Sequence, residues 1–436
     1  METSRLFGIC GMNVDTVEEI SLRNIFLLVF KSVSYLFLST FIITISSFLF
    51  WVCLANKFDP SLFGQTRTIF TVVSIIAIFF QFGLPTYNQV QYSKENNIPH
   101  DKEFITILKI ILLISFLIVA SIYYYFSRDR FSYLLFNMIV FIIFFDDLIK
   151  YFSAILYGKN EFLVPLKAVI YSRIFFILLL ATLFLFSTNI YHFILLVLVT
   201  YFIHFIFIYF RLGEFRIEYK KLRFNNRSFQ NYLLVLSPLW INNIFNQLYD
   251  KIDIPIISYF LNYTQVADYS VAYTFYNLSG IIIGIVLVPL LNYFSNKKII
   301  LENKLRLLKK SIIVVLSISI SIVILFILVG ENIVIMIFGN KYIKSAEMIK
   351  YFSLSIIFWN LNSLTGVFLN SQEMFKSTMI AVIVGFLTNI LLDIFTIPIL
   401  GIKGGIIATT VTAFVVLIIE TFFIIKIFRN ENRIPG

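Results

Sequence analysis

The sequence has very little cysteine and histidine, the side chains from which proteins build disulfides and most transition-metal sites. The two cysteines, Cys10 and Cys53, have no metal-ligand spacing, and the three histidines are isolated from one another. The sequence also lacks a glycine-rich phosphate loop. We therefore expect neither a disulfide framework nor a metal site, and no cofactor.

Charge is scarce as well, at 14% of the 436 residues, whereas soluble domains have about 25%. Glycine (16) and proline (9) are few, so long helices are seldom interrupted. Hydrophobic residues make up 59% of the chain, with 51 phenylalanines, and the mean hydropathy is +0.89. The apolar segments do not alternate with polar residues as in barrel strands. The composition therefore predicts an all-α polytopic membrane protein.

Uncharged runs long enough to cross a bilayer recur along the chain. A spanning helix needs about 20 apolar residues, and residues 174–210 form a run of 37 without a charged residue, which must fold into two spans. The sequence predicts twelve spans, at residues 25–55, 66–93, 104–126, 131–157, 163–187, 190–211, 229–260, 266–294, 308–329, 346–371, 376–399 and 403–426.

Lysine and arginine are distributed unevenly over the predicted loops. The side of the membrane that carries both termini has about three times as many of them as the other side. Because cytoplasmic loops are enriched in these residues, we expect both termini to be cytoplasmic. The net charge of +11 has the same origin, and we expect no nucleic acid partner.

The two halves of the chain are weakly similar. Ala168-Val169-Ile170 recurs 213 residues later as Ala381-Val382-Ile383. Two parallel repeats of six spans are a transporter architecture. The predicted organisation is a cytoplasmic segment at 1–24, an N-terminal six-helix lobe at 25–212, a basic cytoplasmic linker at 213–228, a C-terminal six-helix lobe at 229–427 and a cytoplasmic tail at 428–436.

Several charged side chains fall inside predicted spans, where an unpaired charge costs several kcal/mol. Arg173 lies about 15 Å into its helix, and its guanidinium suits either a phosphate or an acid on a neighbouring helix. Asp146 and Lys150 are four residues apart and are expected to pair, which leaves Asp147 less satisfied and able to titrate. Lys31 either lines a cavity or extends its ammonium group to the cytoplasmic interface.

A polar stripe follows one face of the seventh predicted span. Its members recur at steps of three and four, and are Asn243, Asn246, Gln247, Asp250 and Asp253. Such a face avoids lipid, so it either lines a cargo path or packs one lobe on the other. Lys251 is expected to point away from the stripe, and Pro238 and Pro255 are expected to bend the helix. Asn362 belongs to a milder stripe in the tenth span.

Short motifs occur along the chain in an order that is typical of one family. They are Asp59-Pro60-Ser61-Leu62-Phe63-Gly64, Phe82-Gly83-Leu84-Pro85, Val266-Ala267-Asp268-Tyr269-Ser270-Val271-Ala272-Tyr273, Ile337-Phe338-Gly339-Asn340-Lys341-Tyr342, and Asn389, Pro398, Gly401 and Gly404-Gly405-Ile406-Ile407-Ala408-Thr409. With these motifs the chain resembles the Wzx-type O-antigen flippases, polysaccharide transporters of the multidrug/oligosaccharidyl-lipid/polysaccharide flippase superfamily.

The resemblance implies a twelve-helix, two-lobed, MATE-like carrier that works by alternating access. The implied cargo is an undecaprenyl-diphosphate-linked oligosaccharide, moved from the cytoplasmic to the periplasmic leaflet of a bacterial inner membrane. The implied partners are this lipid-linked oligosaccharide, membrane lipid, a proton or sodium ion, and polysaccharide polymerase and chain-length proteins. The chain is then a transporter and not an enzyme.

On this hypothesis, cations hold the diphosphate, polar side chains contact sugar and an acid binds the coupling ion. The candidate cargo-binding residues are Arg173, Lys31, Lys150, Lys251, Asn243, Asn246, Gln247 and Asn362. The candidate ion-coupling residues are Asp147, Asp250, Asp253 and Asp146. Two alternatives remain: a multidrug or cation exporter of the same superfamily, and a membrane polysaccharide polymerase, although the sequence has no motif of a catalytic site.

Overall fold

The computed structural model describes residues 22–93, 102–127, 132–212, 226–295 and 299–431, and every regular element in them is a helix. The side chain of Lys31 lies outside the described residues, as do most of the predicted segments 1–24 and 213–228 and the end of the tail. The helices are α1 (Leu22–Lys57), α2 (Pro60–Gln81), α3 (Leu84–Ser93), α4 (Lys102–Phe126), α5 (Tyr133–Gly158), α6 (Leu163–Phe186), α7 (Ile190–Arg211), α8 (Asn226–Lys251), α9 (Asp253–Phe260), α10 (Tyr263–Ser295), α11 (Leu301–Phe338), α12 (Ile343–Ser371), α13 (Phe375–Leu400) and α14 (Ile402–Glu431).

The described part of the chain contains nine helical segments that are long and apolar enough to cross a membrane. α5 has a similar length, 26 residues, but carries three charged side chains near its centre. Most predicted spans agree with a helix to within a few residues, although α11, with 38 residues, extends beyond the predicted span 308–329 at both ends. The outer faces of these helices expose large apolar side chains, as contact with lipid requires. The predicted all-α polytopic membrane protein is confirmed.

The second predicted span, residues 66–93, consists of two helices rather than one. α2 ends at Gln81, and the chain turns at Phe82 and Gly83, which have positive φ angles of 52° and 65°, before α3 begins. Pro85 follows four residues after Gln81. A proline has no N–H and its ring collides with the carbonyl four residues earlier, so a straight helix cannot continue through this point.

The seventh predicted span, residues 229–260, is interrupted for the same reason. α8 ends at Lys251, four residues before Pro255, and α9 begins at Asp253. α8 passes through Pro238 without interruption. Of the two expected bends, the one at Pro255 is confirmed, and it places the Asp253 carboxylate in the first turn of a new helix.

The helices form two compact units. The N-terminal unit comprises Met1–Lys57 and Val73–Asn243, and the C-terminal unit comprises Phe58–Val72 and Ile244–Gly436. The first turns of α2 therefore pack with the helices of the C-terminal unit, although they precede most of the N-terminal unit in the sequence.

Each unit has its own core of aromatic and aliphatic side chains. In the N-terminal unit, α3, α5 and α7 meet around buried residues that include Tyr151 and Phe152. In the C-terminal unit, α10, α11 and α12 meet around residues that include Phe294 and Phe368, whose ring centroids are 5.2 Å apart. These cores fix the helices that carry the charged and polar side chains described next.

Candidate functional site

Ionisable side chains from four helices meet inside the N-terminal unit. We call them the N-terminal charge cluster; its members are Lys109 on α4, Asp146, Asp147 and Lys150 on α5, Arg173 on α6 and His204 on α7. Aromatic contacts hold α5 against α7, among them Phe145 with Phe202 at 5.3 Å between centroids. This packing brings the charges of α5 beside Tyr201 and His204.

Lys109 and Asp147 form a buried ion pair within this cluster. The Lys109 ammonium donates to Asp147 Oδ2, and the two side chains are only 3% and 7% exposed. The ammonium also lies 5.6 Å from the centre of the Tyr151 ring. The expectation that Asp147 is the less satisfied acid does not hold for Oδ2, because a lysine 38 residues away in the sequence donates to it, whereas Oδ1 is buried without a partner.

Asp146 and Lys150 pair as the sequence predicts. Lys150 Nζ lies 2.6 Å from Asp146 Oδ2, in the i,i+4 arrangement of one helix face. In contrast to the buried pair, Lys150 keeps 52% of its side chain exposed and Asp146 keeps 31%. Lys150 is therefore the more exposed of the two paired lysines in the cluster.

Arg173 has no acidic partner among the described residues, and the expected alternative of a salt bridge to a neighbouring helix is not found. Its side chain is 4% exposed. The guanidinium stacks on Tyr201 at 5.1 Å and on Phe176 at 5.8 Å. Its Nε is buried and makes no hydrogen bond. The guanidinium is therefore a buried cation for which the described residues supply no anion.

The charges of the cluster do not balance. Lys109 and Lys150 each have a carboxylate, and Arg173 has none among the residues that the structure describes. A guanidinium held by aromatic rings presents donors in a fixed plane, which suits the oxygen atoms of a phosphate. The N-terminal unit can therefore hold an anion at Arg173.

The polar stripe of α8 is held by contacts to its own helix and to α10. Lys251 Nζ donates to Gln247 Oε1 at 3.2 Å, so the expectation that Lys251 points away from the stripe is wrong. Residues four apart share a helix face. The Tyr273 hydroxyl lies 2.6 Å from Asp250 Oδ1 and holds that carboxylate against α10. Asn243 is half-buried and Asn246 is exposed.

A second polar cluster lies in the C-terminal unit around Asp253, which is 4% exposed. Its Oδ2 accepts hydrogen bonds from the Tyr269 hydroxyl and, at 2.9 Å, from Thr409 Oγ1. Asp393 and Asn389, one turn apart on α13 and both fully buried, face the same carboxylate. We call these five residues the Asp253 cluster.

Several polar atoms of the Asp253 cluster have no hydrogen-bond partner. They are Oδ1 of Asp253, both carboxylate oxygens of Asp393 and both amide atoms of Asn389. Leaving a buried polar atom unpaired costs about 1–3 kcal/mol, and two neighbouring carboxylates cannot both remain ionised without compensation. A bound cation or a proton would satisfy both requirements, and oxygen donors suit a hard cation. Among the described residues no group of three or more acidic, histidine or cysteine side chains forms a metal site.

Sequence reasoning identified Asp253 as an ion-coupling candidate, and it singled out Tyr269, Asn389 and Thr409 only as parts of the family motifs. Asn389 and Asp393 are four apart and uncharged residues surround them, which is the one local signal of a shared polar face. Tyr269 and Thr409 come from two other helices, and nothing in the sequence connects them to Asp253. Lys109 was also missed, since its position allowed its ammonium to reach the interface.

Asn362 contributes to helix packing. Its Nδ2 donates to the Ala413 carbonyl on α14 at 2.9 Å, and its Oδ1 is buried without a partner. One acceptor of this candidate cargo-binding residue thus remains available, while its donor is in use.

Comparison with known proteins identifies the family. A family model described as polysaccharide biosynthesis protein matches residues 29–295, more than half of the chain. The chain belongs to this polysaccharide biosynthesis protein family. No curated protein matches its sequence.

Solved structures of transporters share the fold of this family member. An inward-facing MATE family multidrug transporter of the MOP superfamily has a TM-score of 0.72 at 14% identity, covering 88% of this chain and 95% of the other. The lipid II flippase MurJ, in an inward closed conformation, has a TM-score of 0.70 at 18% identity, and the match covers 89% of this chain and 87% of MurJ. A MOP superfamily transporter from Pyrococcus furiosus has a TM-score of 0.60 at 12% identity, and the match covers 91% of this chain and 95% of the other. The predicted MATE-like fold is confirmed, and the helices that it shares with these structures make the chain a multi-pass membrane protein.

Proposed function

We propose that the chain is a flippase for a lipid-linked oligosaccharide. The cargo is an undecaprenyl-diphosphate-linked repeat unit of O-antigen or a similar surface polysaccharide. It moves from the cytoplasmic to the periplasmic leaflet of a bacterial inner membrane, in which both termini of the protein are cytoplasmic. The polysaccharide biosynthesis family and the fold shared with a lipid II flippase support this choice.

The observation that carries the proposal is the unpaired cation of the N-terminal unit. Arg173 is buried, has no acidic partner among the described residues and is held between aromatic rings. Lys150 adds an exposed ammonium group in the same cluster. A diphosphate carries the negative charge and the oxygen atoms that Arg173 lacks among the described residues, and arginine binds it in two-point fashion. A neutral or cationic cargo would leave Arg173 without a partner.

The sugar and the coupling ion belong to other residues in this scheme. Asn243, Asn246 and Gln247 on α8, and the free Oδ1 of Asn362, are the polar groups suited to contact sugar hydroxyls. The Asp253 cluster supplies unpaired oxygen atoms for a sodium ion or proton. Asp250 is a weaker candidate for the ion because Tyr273 already donates to it.

The decisive experiment is deletion of the gene in its host, with measurement of surface polysaccharide and lipid-linked oligosaccharide together. We expect loss of the polymer and accumulation of lipid-linked units on the cytoplasmic face. A plasmid-borne Arg173→Ala variant should insert normally into the membrane but fail to restore export. Arg306→Ala, which removes a cation of α11 that is 66% exposed, is the matched control and should restore export. Normal export by Arg173→Ala would remove Arg173 from the scheme.

The same experiment tests the alternative of a drug or cation exporter. The unpaired acids of the Asp253 cluster favour this alternative, because a cationic cargo binds to carboxylates. Normal surface polymer in the deletion strain, together with new sensitivity to cationic drugs, would replace the flippase proposal with the exporter.

A further inference from the structure

A further buried acid, Glu420, lies apart from both clusters. It is 4% exposed and belongs to the membrane-spanning part of α14, Ile402–Ile427. Thr409, the member of the Asp253 cluster on the same helix, is eleven residues earlier, which corresponds to about 16 Å along the axis. Glu420 is therefore a site separate from the Asp253 cluster.

The surroundings of Glu420 offer no positive charge. Its Oε2 forms a hydrogen bond with Thr365 Oγ1 of α12, and no lysine, arginine or histidine among the described residues forms an ion pair with it. The ionisable group that faces it is the phenol of Tyr249 on α8. Three other helices, α9, α10 and α13, pack on α14. They carry the ionisable residues Asp253, Tyr269 and Asp393, which belong to the Asp253 cluster.

The Thr365 hydroxyl has three acceptors within reach, and its one hydrogen points either to Glu420 Oε2 or to the backbone. Thr365 Oγ1 lies 3.1 Å from the Leu361 carbonyl and 3.2 Å from the Asn362 carbonyl, as well as against Glu420. A hydroxyl has a single hydrogen, and a carbonyl can only accept. When that hydrogen points to the backbone, the bond between Glu420 and Thr365 requires a hydrogen on the glutamic acid.

The energetics favour the same arrangement. An ionised carboxylate buried with one hydrogen bond and no cation carries a penalty of several kcal/mol. A neutral carboxyl that donates to Thr365, which in turn donates to the backbone, leaves every hydrogen with an acceptor. Gly366 adjoins the other oxygen, and a Cβ at this position would stand 3.4 Å from Oε1.

We propose that Glu420 is a proton-binding site, neutral in this conformation and hydrogen-bonded to Thr365. The proton comes from water and returns to water, with the O–H bond of the carboxyl forming and breaking in the exchange. In the proposed flippase the site exchanges one proton during each transport cycle, separately from the Asp253 cluster. This last role rests on the proposed function, whereas the protonation does not.

Infrared spectroscopy of the full chain in lipid nanodiscs, without cargo, tests the protonation. The spectrum of the wild type minus that of Glu420→Gln should show at neutral pH the C=O stretch of a neutral carboxyl, which a carboxylate lacks. Thr365→Val should shift this band without removing it, because the acceptor of the carboxyl hydrogen is lost. Glu302→Gln, at a position 72% exposed, is the control and should change carboxylate bands alone.

A carboxylate difference for Glu420→Gln at neutral pH would overturn the proposal. If Glu420→Gln does not fold, a Thr365→Val spectrum without a shifted carboxyl band would overturn it equally. For the transport role, Glu420→Gln should lose export of surface polymer while Glu302→Gln keeps it. Normal export by Glu420→Gln at every external pH tested would refute that role alone. The deletion strain tests the flippase proposal independently.

Discussion

Replacing Gly64 by alanine should open the crossing between α2 and α10 in the C-terminal unit. At this point the two helices touch through their backbones. A Cβ at position 64 would stand 2.7 Å from the carbonyl carbon of Tyr263, closer still to its oxygen, and 3.1 Å from the Ala267 nitrogen. All three atoms belong to the main chain, so no side chain can rotate away and the helices themselves must separate.

The size of the effect follows from these distances. Carbon atoms pack at about 3.5–4.0 Å, so the methyl group requires a shift of about 1 Å. Overpacking of this kind costs about 1–3 kcal/mol and sometimes more. The shift also strains the neighbouring hydrogen bonds from Arg67 Nη2 to Thr274 Oγ1, at 3.1 Å, and from Lys341 Nζ to the Phe58 carbonyl, at 2.7 Å.

Thermal unfolding of the purified protein in nanodiscs is the assay, with Gly284→Ala as the matched control. No atom lies within 4 Å of a Cβ at position 284. Because alanine favours a helix over glycine by about 1 kcal/mol, this control should be unchanged or more stable. Gly64→Ala should melt below the wild type. A Gly64→Ala protein as stable as Gly284→Ala would refute the close crossing.

Three further predictions concern the clusters and a second crossing. Lys109→Ala should lower the free energy of unfolding by about 3–5 kcal/mol, because it leaves Asp147 buried without its lysine. The double variant Lys109→Met with Asp147→Leu should recover most of this loss, as measured by chemical denaturation. Sodium should stabilise the wild type by about 2.7 kcal/mol when its concentration is one hundred times its Kd, and Asp393→Asn should abolish this stabilisation. The measurement compares melting temperatures in sodium chloride and in potassium chloride at equal ionic strength. Gly158→Ala should lower the melting temperature, because its Cβ would stand 2.6 Å from a backbone oxygen of α3.

Each of these predictions has an outcome that contradicts it. A double variant no more stable than Lys109→Ala would show that the pair is not the source of the loss. Equal melting of the wild type in sodium and potassium would leave the Asp253 cluster to protons, and retained sodium stabilisation in Asp393→Asn would place the ion elsewhere. Wild-type stability of Gly158→Ala would contradict the contact between α3 and α5.

Local pattern was sufficient for the helices and for contacts within one helix. Runs of apolar residues placed the spans to within a few residues, because a bilayer of fixed thickness selects segments of one length. The pair of Asp146 with Lys150 and the interruption before Pro255 both depend on residues four apart. Lys251 is also four residues from Gln247, and this spacing places its ammonium on the stripe rather than away from it, contrary to the prediction.

Contacts between helices were beyond the sequence. Asp147 has Lys109 as its partner, 38 residues away, and Asp253 has Thr409, 156 residues away. The sequence listed each of these acids as a charge inside a span and could not say which one is paired. A membrane interior penalises any lone charge, and several arrangements of helices satisfy that rule equally well.

The sequence by itself thus determined a polytopic helical membrane protein, the ends of most of its helices and the presence of unusual charges within them. Only the tertiary structure decided that Arg173 lacks an acid among the described residues, while Asp147 has a lysine. It also decided that the first turns of α2 pack with the C-terminal unit. The physical reason is that hydrophobicity and hydrogen bonding along one helix are local properties, whereas the partner of a buried charge depends on which helix faces meet.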